Sequence, residues 1–558
     1  MNRKRSQSGA NANFETRKAE YGRRMARAAA LRIGKTRFVR RECAVELFHA
    51  VICKGDRVCL EGDNQKQADF LAKELLKVDP GRISGLHMVQ SSIVLPEHVE
   101  LFRRGIAEKL DFAFSGPQAR ALYEAVAARQ ARIGAIHTYL ELYGRYFLDL
   151  FPQVSLVAAD SCDARGNLFT GFNTEDTPTI CEATRCKHGI VIAQVKRRQT
   201  VLPRVDIPAD QVDFIIETGE DYFIQPLFTR DPAAITPNQI LMAMMALKGI
   251  YAEYGVQSLN HGLGFSTAAI ELLLPTYGRE LGLRGKCCTH WVLNPHPTLI
   301  PAIEAGFVQQ VYAFGGEPGM EDYVRARSDV FSCGADGEPR TNRCNAHIAG
   351  LYAIDMFCGA TLQMDRFGNS STTIKGMIAG FGGAPNLGGT PPGRRHITES
   401  FRKAGTLREN AFYGRKLVVQ ITPTVSEKKG IPVFVNELDA SALAQEGLFD
   451  VPPIMITGDE ITHIVTEEGI ANLIRCPDLP TRMQAIAAVA GDTPVGRSAK
   501  PPVVRKLRRC GIVSTSEDLG IDPRHAQRSL LAAQNLDDLV RISGGLYHIP
   551  ASLQRSGR

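Results

Sequence analysis

An α/β fold with mainly parallel sheets is what this 558-residue sequence predicts, on two grounds. Short apolar runs end repeatedly in polar, glycine-containing turns that lead into helical periodicity, and the whole succession restarts midway along the chain. The first instance is Asp56-Arg-Val-Cys-Leu-Glu-Gly62, a strand closed by glycine, then a polar turn at 63–67 and a helix over 68–76. That order places side chains at the carboxyl edge of a parallel sheet, where open α/β sheets bind their ligands.

The other elements follow in chain order. Ala-rich composition predicts a helix over 19–31, and 45–51 is a second. Strands are expected at 83–89, 110–115, 154–159, 189–195 and 214–217, with helices at 99–110 and 120–131. Near 230–237 the pattern restarts with a helix at 240–254, a strand and glycine turn at 256–264, and helices at 267–274 and 298–305. Further strands are read at 311–314, within 351–364, and at 415–421, 433–435 and 461–467. Two serial units fit this length better than one. The expected boundaries are a disordered basic leader (1–17), a first domain (18–232), a second (233–495), and a linker with a small helical extension (496–558), helical chiefly over 522–540.

A composition of 44% hydrophobic and 22% charged residues suits a soluble globular protein with ample core. No apolar run is long enough to cross a bilayer and no signal-peptide pattern opens the chain, so a cytoplasmic protein without a membrane role is expected. Thirteen cysteines lie scattered, many inside apolar runs, which suggests reduced core thiols. Cys181-x4-Cys186-Lys-His188 lacks the second ligand pair of a zinc site, so no metal is expected. The charge is uneven: residues 1–45 carry thirteen Lys and Arg against three acids, and 496–558 carry eleven against five, leaving an acidic body. The basic N-terminus reads first as a solvated helix and second as a docking surface for an acidic partner. Nucleic acid is disfavoured because aromatic residues are not interleaved with the charges.

The densest candidate for a site is Gly376-Met-Ile-Ala-Gly-Phe-Gly-Gly-Ala-Pro-Asn-Leu-Gly-Gly389, followed by Arg394 and Arg395. Glycines beyond a strand let backbone N–H groups approach a ligand, so Gly382 and Gly383 are candidate donors to an oxyanion. Arg394 and Arg395 suit a bidentate grip on a carboxylate or phosphate. Neither glycine turn is a dinucleotide fingerprint: Gly262-Leu-Gly264 lacks the third glycine, and Gly380-Phe-Gly-Gly383 leads to Pro385 rather than into a helix. No P-loop and no G-x-S-x-G elbow is present. The remaining strand-end turns are rich in amides and carboxylates: Glu61, Asn64 and Gln65; Asn173 and Glu175; Asn260 and His261; Glu317; and Asn386. Ordinary turn capping competes with function at each of them. His137, His290 and His463 sit beside apolar residues and are read as packed.

Several segments together resemble the α subunit of malonate decarboxylase. They are Glu61-Gly-Asp-Asn-Gln-Lys-Gln-Ala-Asp, Gly134-Ala-Ile-His-Thr-Tyr-Leu-Glu-Leu-Tyr, Thr174-Glu-Asp-Thr-Pro and Gln257-Ser-Leu-Asn-His-Gly-Leu-Gly-Phe. Asn294-Pro-His-Pro-Thr-Leu-Ile-Pro-Ala-Ile-Glu, Gly380-Phe-Gly-Gly-Ala-Pro-Asn and Ser543-Gly-Gly-Leu-Tyr extend the likeness over about 18–550. The resemblance implies two tandem coenzyme A transferase-like domains and an acetyl-[acyl-carrier-protein]:malonate carrier-protein transferase. Malonate displaces acetate from the carrier thioester, other subunits decarboxylate the malonyl-carrier, and the carrier bears a phosphoribosyl-dephospho-coenzyme A group. No tightly bound cofactor is then needed. On this reading Gly382, Gly383, Asn260, His261 and Glu317 belong to the reacting centre. Gly262, Gly264, Gly380, Asn386, Arg394, Arg395, Glu61, Asn64, Gln65, Asn173 and Glu175 line the groove for the carrier arm. Related coenzyme A transferases use a nucleophilic Glu that the matching region here, 289–297, lacks. Direct attack of malonate on the acetyl thioester, through a mixed anhydride, is therefore expected, with a covalent intermediate on Glu317 or Glu61 as the competing route. The alternatives are a transferase or hydrolase of free acyl-coenzyme A, and a non-catalytic scaffold.

Overall fold

The computed structural model describes residues 14–62, 65–226, 232–348, 350, 353–388, 398–405, 415–426, 430–522, 524–525, 528, 541–543 and 546–548. The chain forms two compact units. One is Met1–Gln225 with Asn342–Cys344 and Ile378–Gly382; the other is Pro226–Thr341 with Asn345–Met377 and Gly383–Arg558. The division falls at Gln225/Pro226, seven residues ahead of the expected 232/233, and two short later segments return to the first unit.

In the first unit the strands are β1 (Phe38–Val39), β2 (Arg57–Leu60), β3 (Leu86–Ser92), β4 (Ala107–Phe114), β5 (Arg132–Ile136), β6 (Val154–Cys162), β7 (Leu168–Phe169), β8 (Ile190–Arg198) and β9 (Phe214–Glu217). They pair in the order β1-β9-β8-β6-β2-β3-β4-β5, all parallel, with β7 folded back antiparallel on β6. The order reverses between β2 and β6, so the crevice that an open α/β sheet offers a ligand lies at the carboxyl ends of these two strands. Cys59, Val157, Val191 and Ile215 are fully buried beneath α6 (Tyr139–Leu148) and α7 (Thr177–Cys186), which contribute Leu142, Tyr146 and Ile180 to the same core. Thr138 caps α6 by accepting from Glu141 N at 3.0 Å, and Pro178 occupies the first turn of α7, where its missing N–H costs nothing.

Several expectations change here. The helix expected over 99–110 is Pro96–Arg103, because Gly105 takes φ +70° and turns the chain into β4. The strand β5 and the helices α6 and α7 were not anticipated. Residues 14–17 of the expected disordered leader are the first turn of a helix, Phe14–Ala28. That helix is docked rather than solvated: Arg24 pairs with Asp56 (3.0 Å) in a buried bridge, and Tyr21 donates to Asp213 at 2.7 Å. His137 is buried as expected and hydrogen-bonds Asp111 at 2.8 Å.

The second unit carries β10 (Ser258–His261), β11 (His290–Val292), β12 (Gln310–Tyr312) and β13 (Met356–Gly359). Its sheet runs β12-β11-β10-β13, then Leu417–Ile421, His463–Thr466, Gly469–Asn472 and Val513–Ser514. Pairing is parallel up to His463–Thr466 and antiparallel beyond. Here the order reverses between β10 and β13. The segment read as a Pro/Lys/Arg linker is the helix Pro501–Arg509, with both prolines in its first turn, and the strand after it closes the sheet edge. The region from 496 is thus built into the second unit, while most of 522–540 lies outside the described residues. His463 is buried as expected, but His290 is exposed at the start of β11. Among the described residues no helix is long and apolar enough to cross a membrane. All thirteen cysteines are free, with Cys59, Cys162, Cys181, Cys287, Cys288 and Cys358 buried.

Candidate active site

At the first unit's switch point, Glu61 leaves β2 at the floor of the crevice and is 1% exposed. Its Oε2 accepts from Ala158 N of β6 at 2.6 Å, and its Oε1 accepts from Thr177 Oγ1 and faces Lys66 Nζ at 3.2 Å. Lys66 is itself fully buried and donates to Thr177 Oγ1. Both carboxylate oxygens of Glu61 are therefore committed to the fold, and the residue is not placed as a nucleophile. Gln65 and Asn173 are also fully buried. The backbone carbonyl of Gln65 accepts from Gln225 N at 2.7 Å, and the backbone N–H of Asn173 donates to Thr170 O at 3.4 Å.

Beside this pair the loop between β7 and α7 presents Glu175 and Asp176. Asp176 is saturated: Ser91 Oγ of β3 donates to Oδ2 at 2.8 Å, Tyr143 OH of α6 to Oδ1 at 2.6 Å, and Arg343 Nη1 to Oδ2 at 3.0 Å. Arg343 is 1% exposed and stacks over the Tyr139 ring, 4.5 Å from its centroid. Glu175 is different. It is fully buried, neither carboxylate oxygen has a hydrogen-bond partner, and Arg343 Nη2 lies 3.9 Å from Oε2. Its backbone holds φ +47°, in the left-handed region that a side chain with a Cβ seldom adopts. Burial pushes its carboxyl up to about 7, against the pull of Arg343 and Lys66. A buried, raised carboxyl and a left-handed backbone coincide at this one residue, which makes it a candidate for function.

The glycine run behaves otherwise than expected. Gly380 forms an antiparallel bridge with Phe114 at the end of β4, and the N–H groups of Phe381 and Gly382 both donate to Ala113 O, at 2.7 and 2.9 Å. The Gly382 N–H is thus taken by backbone and is not an oxyanion donor. Gly380 is required sterically: it holds φ +77°, and a Cβ there would lie 2.4 Å from Ala113 O. Gly380→Ala is accordingly expected to cost about 2–4 kcal/mol, read as a lower urea midpoint with unchanged slope. Gly383 opens the five-residue helix Ala384–Gly388, accepting from Leu387 N at 2.9 Å, so the run does lead into a helix, with Pro385 in its first turn. Asn386 sits in that helix with Oδ1 buried and without a partner. Asn64, Arg394 and Arg395 lie outside the described residues.

The second unit's switch point carries a separate polar cluster. Gly262 N donates to Cys358 O at 2.8 Å, and a Cβ on Gly262 would meet Gly359 Cα at 3.2 Å, so glycine is what lets β10 and β13 end this close together. Gly264 precedes the helix Phe265–Leu273 in extended backbone (φ 165°). Its carbonyl accepts from Ala268 N and Thr267 Oγ1. His261 is buried with both ring nitrogens occupied, Nδ1 by Glu271 at 2.8 Å and Nε2 by the Tyr251 hydroxyl at 2.7 Å, so it is a structural residue rather than an acid or base for substrate. Asn260 Nδ2 donates to Val292 O of the neighbouring strand. Glu271, fully buried, also bonds His296 Nδ1 at 2.9 Å and Thr298 Oγ1. Burial pushes its carboxyl up, but His296 and His261 outweigh that and hold it below the usual carboxylate range. Glu317, fully buried, follows β12, and its backbone carbonyl caps Met320 N at 3.0 Å. Among the described residues no cluster of His, Cys, Asp and Glu could hold a metal ion.

Lys66, Asp176, Arg343, Glu271 and His296 were missed as site residues. Asp176 lies in a turn already singled out, but Arg343 reaches it from 167 positions away, and no local pattern announces that pairing.

Two α/β units, each with a sheet whose strand order reverses once, define the class, and the fold is shared with an acyl-coenzyme A transferase from Escherichia coli O157:H7 (TM-score 0.52, 14% identity, covering 79% of this chain and 88% of that one). The chain belongs to the malonate decarboxylase α-subunit family: the family model "Malonate decarboxylase, alpha subunit, transporter" matches residues 13–556. It is 56% identical over 514 residues to the acetyl-S-ACP:malonate ACP transferase of Malonomonas rubra, covering 91% of this chain and 93% of that protein. A chain of a Pseudomonas malonate decarboxylase hetero-tetramer, solved in complex with malonate, superposes with TM-score 0.90 at 51% identity, covering 96% and 98% of the two chains.

Proposed function

We propose that this chain is the α subunit of a malonate decarboxylase and moves an acyl carrier protein's thiol from its acetyl thioester to malonate, releasing acetate. The observation that carries this is its 56% identity, over nine tenths of both chains, to an acetyl-S-ACP:malonate ACP transferase. Its partners are the carrier subunit, through a phosphoribosyl-dephospho-coenzyme A arm, and decarboxylase subunits that regenerate acetyl-carrier in the cytoplasm. A malonate oxygen attacks the acetyl carbonyl, the carrier thiolate leaves, and the mixed acetyl–malonyl anhydride forms. The thiolate then attacks the malonyl carbonyl and acetate departs. Glu61 has both oxygens committed elsewhere, which favours this route over a glutamyl intermediate there.

Purified full-length chain given acetyl-carrier and malonate is expected to release acetate and form malonyl-carrier in equal amounts. Free acetyl-coenzyme A is the comparison substrate, because the fold is shared with an acyl-coenzyme A transferase. Saturable turnover of it that matches or exceeds turnover of the carrier would overturn the carrier assignment.

A further inference from the structure

The cluster at the first unit's switch point raises a question that the transfer reaction leaves open, namely where a substrate carboxylate can sit. Apart from Glu175, its buried charges are Lys66 and Arg343 against Glu61 and Asp176, two of each sign, and Asp176 and Glu61 have their oxygens bonded to the fold. Glu175 alone among these carboxylates keeps both oxygens without a hydrogen-bond partner. An incoming carboxylate next to an ionised Glu175 would place two like charges together in a dry site. Carboxylate pairs in such surroundings resolve the conflict by sharing one proton.

Resting on the transferase reading above, we propose that Glu175 is the residue that receives a carboxylate of the small dicarboxylate substrate, donating its own carboxyl O–H to a substrate oxygen with Arg343 alongside. Burial supports the neutral form, against the pull of Arg343 and Lys66. Tyr139 of α6, buried, and Tyr222 after β9, half-buried, are phenols raised above their ordinary range by burial, so they add no negative charge. The cations that face Glu175 are Arg343 and Lys66, and the competing anions are Asp176 and Glu61. Near neutral pH part of the free protein then carries Glu175 ionised, and binding draws one proton from solvent: carboxylate, proton and substrate anion combine into an acid–carboxylate pair, with no covalent step.

Malonate binding to the full-length chain, followed by calorimetry in buffers of different ionisation enthalpy, reads this directly. Wild type is expected to take up about one proton per site near pH 8 and close to none near pH 6. Glu175→Gln retains a donor but cannot titrate; it should keep malonate affinity within about tenfold and lose the uptake. Glu175→Ala should weaken binding by about tenfold or more. Binding without proton uptake near pH 8, loss of binding in Glu175→Gln, an acetyl adduct on Glu175, or wild-type affinity in Glu175→Ala would each overturn the proposal. Carrier is absent from this assay, so intact uptake with failed transfer would count against the carrier reading alone.

Discussion

Arg343→Leu is expected to abolish malonate-dependent acetate release and to lower folding stability by about 3 kcal/mol. The guanidinium is 1% exposed and donates to Asp176 at 3.0 Å, so its removal leaves a buried carboxylate without its cation. Asp176 retains hydrogen bonds from Ser91 and Tyr143, which places the loss toward the lower end for a broken buried pair. Glu175 would also lose a cation that restrains its upward shift, and its carboxyl should titrate higher still. Adding Asp176→Asn to Arg343→Leu should recover part of the stability, because the uncompensated charge disappears, but none of the activity. Urea unfolding of the two single variants and the double variant measures the coupling. Additive losses would show that the pair contributes nothing of its own.

Glu271→Ala should be as damaging in the second unit, by about 3–5 kcal/mol. One fully buried carboxylate there accepts from Thr298 and bonds the Nδ1 atoms of both His261 and His296, and alanine would leave three buried polar groups unmatched. Glu271→Gln, which keeps one acceptor, should lose less. The pH dependence has a definite sign. The folded carboxyl is held below its ordinary value of 4.5, so the stability it contributes is present above that pH and is lost as pH falls through and below it. Wild type should therefore weaken more steeply on acidification than Glu271→Ala. Parallel unfolding midpoints for the two proteins between about pH 6 and pH 3.5 would contradict this account.

Much of the architecture was legible locally. Strands closing at Gly62 and at Gly262 announced themselves through short apolar runs ended by a glycine, and both proved to stand at switch points of parallel sheets. The stretch 99–110 reads as one helix because apolar residues recur through both elements, Val99, Leu101 and Phe102 in the helix and Leu110 in the strand, and the turn between them is marked only by the left-handed Gly105. Pro501 and Pro502 read as linker because proline breaks helices internally, whereas in a first turn it begins them. The site was less legible. Turn composition brought Glu61, Glu175 and His261 forward together, yet only pairing across the fold separates them. Glu61 is saturated by Ala158, Thr177 and Lys66, His261 by Glu271 and Tyr251, and Glu175 remains unmatched. Gly382 likewise met every local criterion for an oxyanion donor, but its N–H is spent on a carbonyl 269 residues earlier in the chain.

The activity assigned to this chain is exchange of the acyl group on a carrier, acetyl for malonyl. Intact-mass measurement of the carrier tests it most directly, starting from acetyl-carrier with labelled acetate and adding the chain, malonate, or both, with no decarboxylase subunits present. Conversion to malonyl-carrier with stoichiometric loss of labelled acetate is expected only when chain and malonate are both supplied. Carrier that stays acetylated under those conditions, or that loses acetate to give the free thiol without malonate, would contradict it.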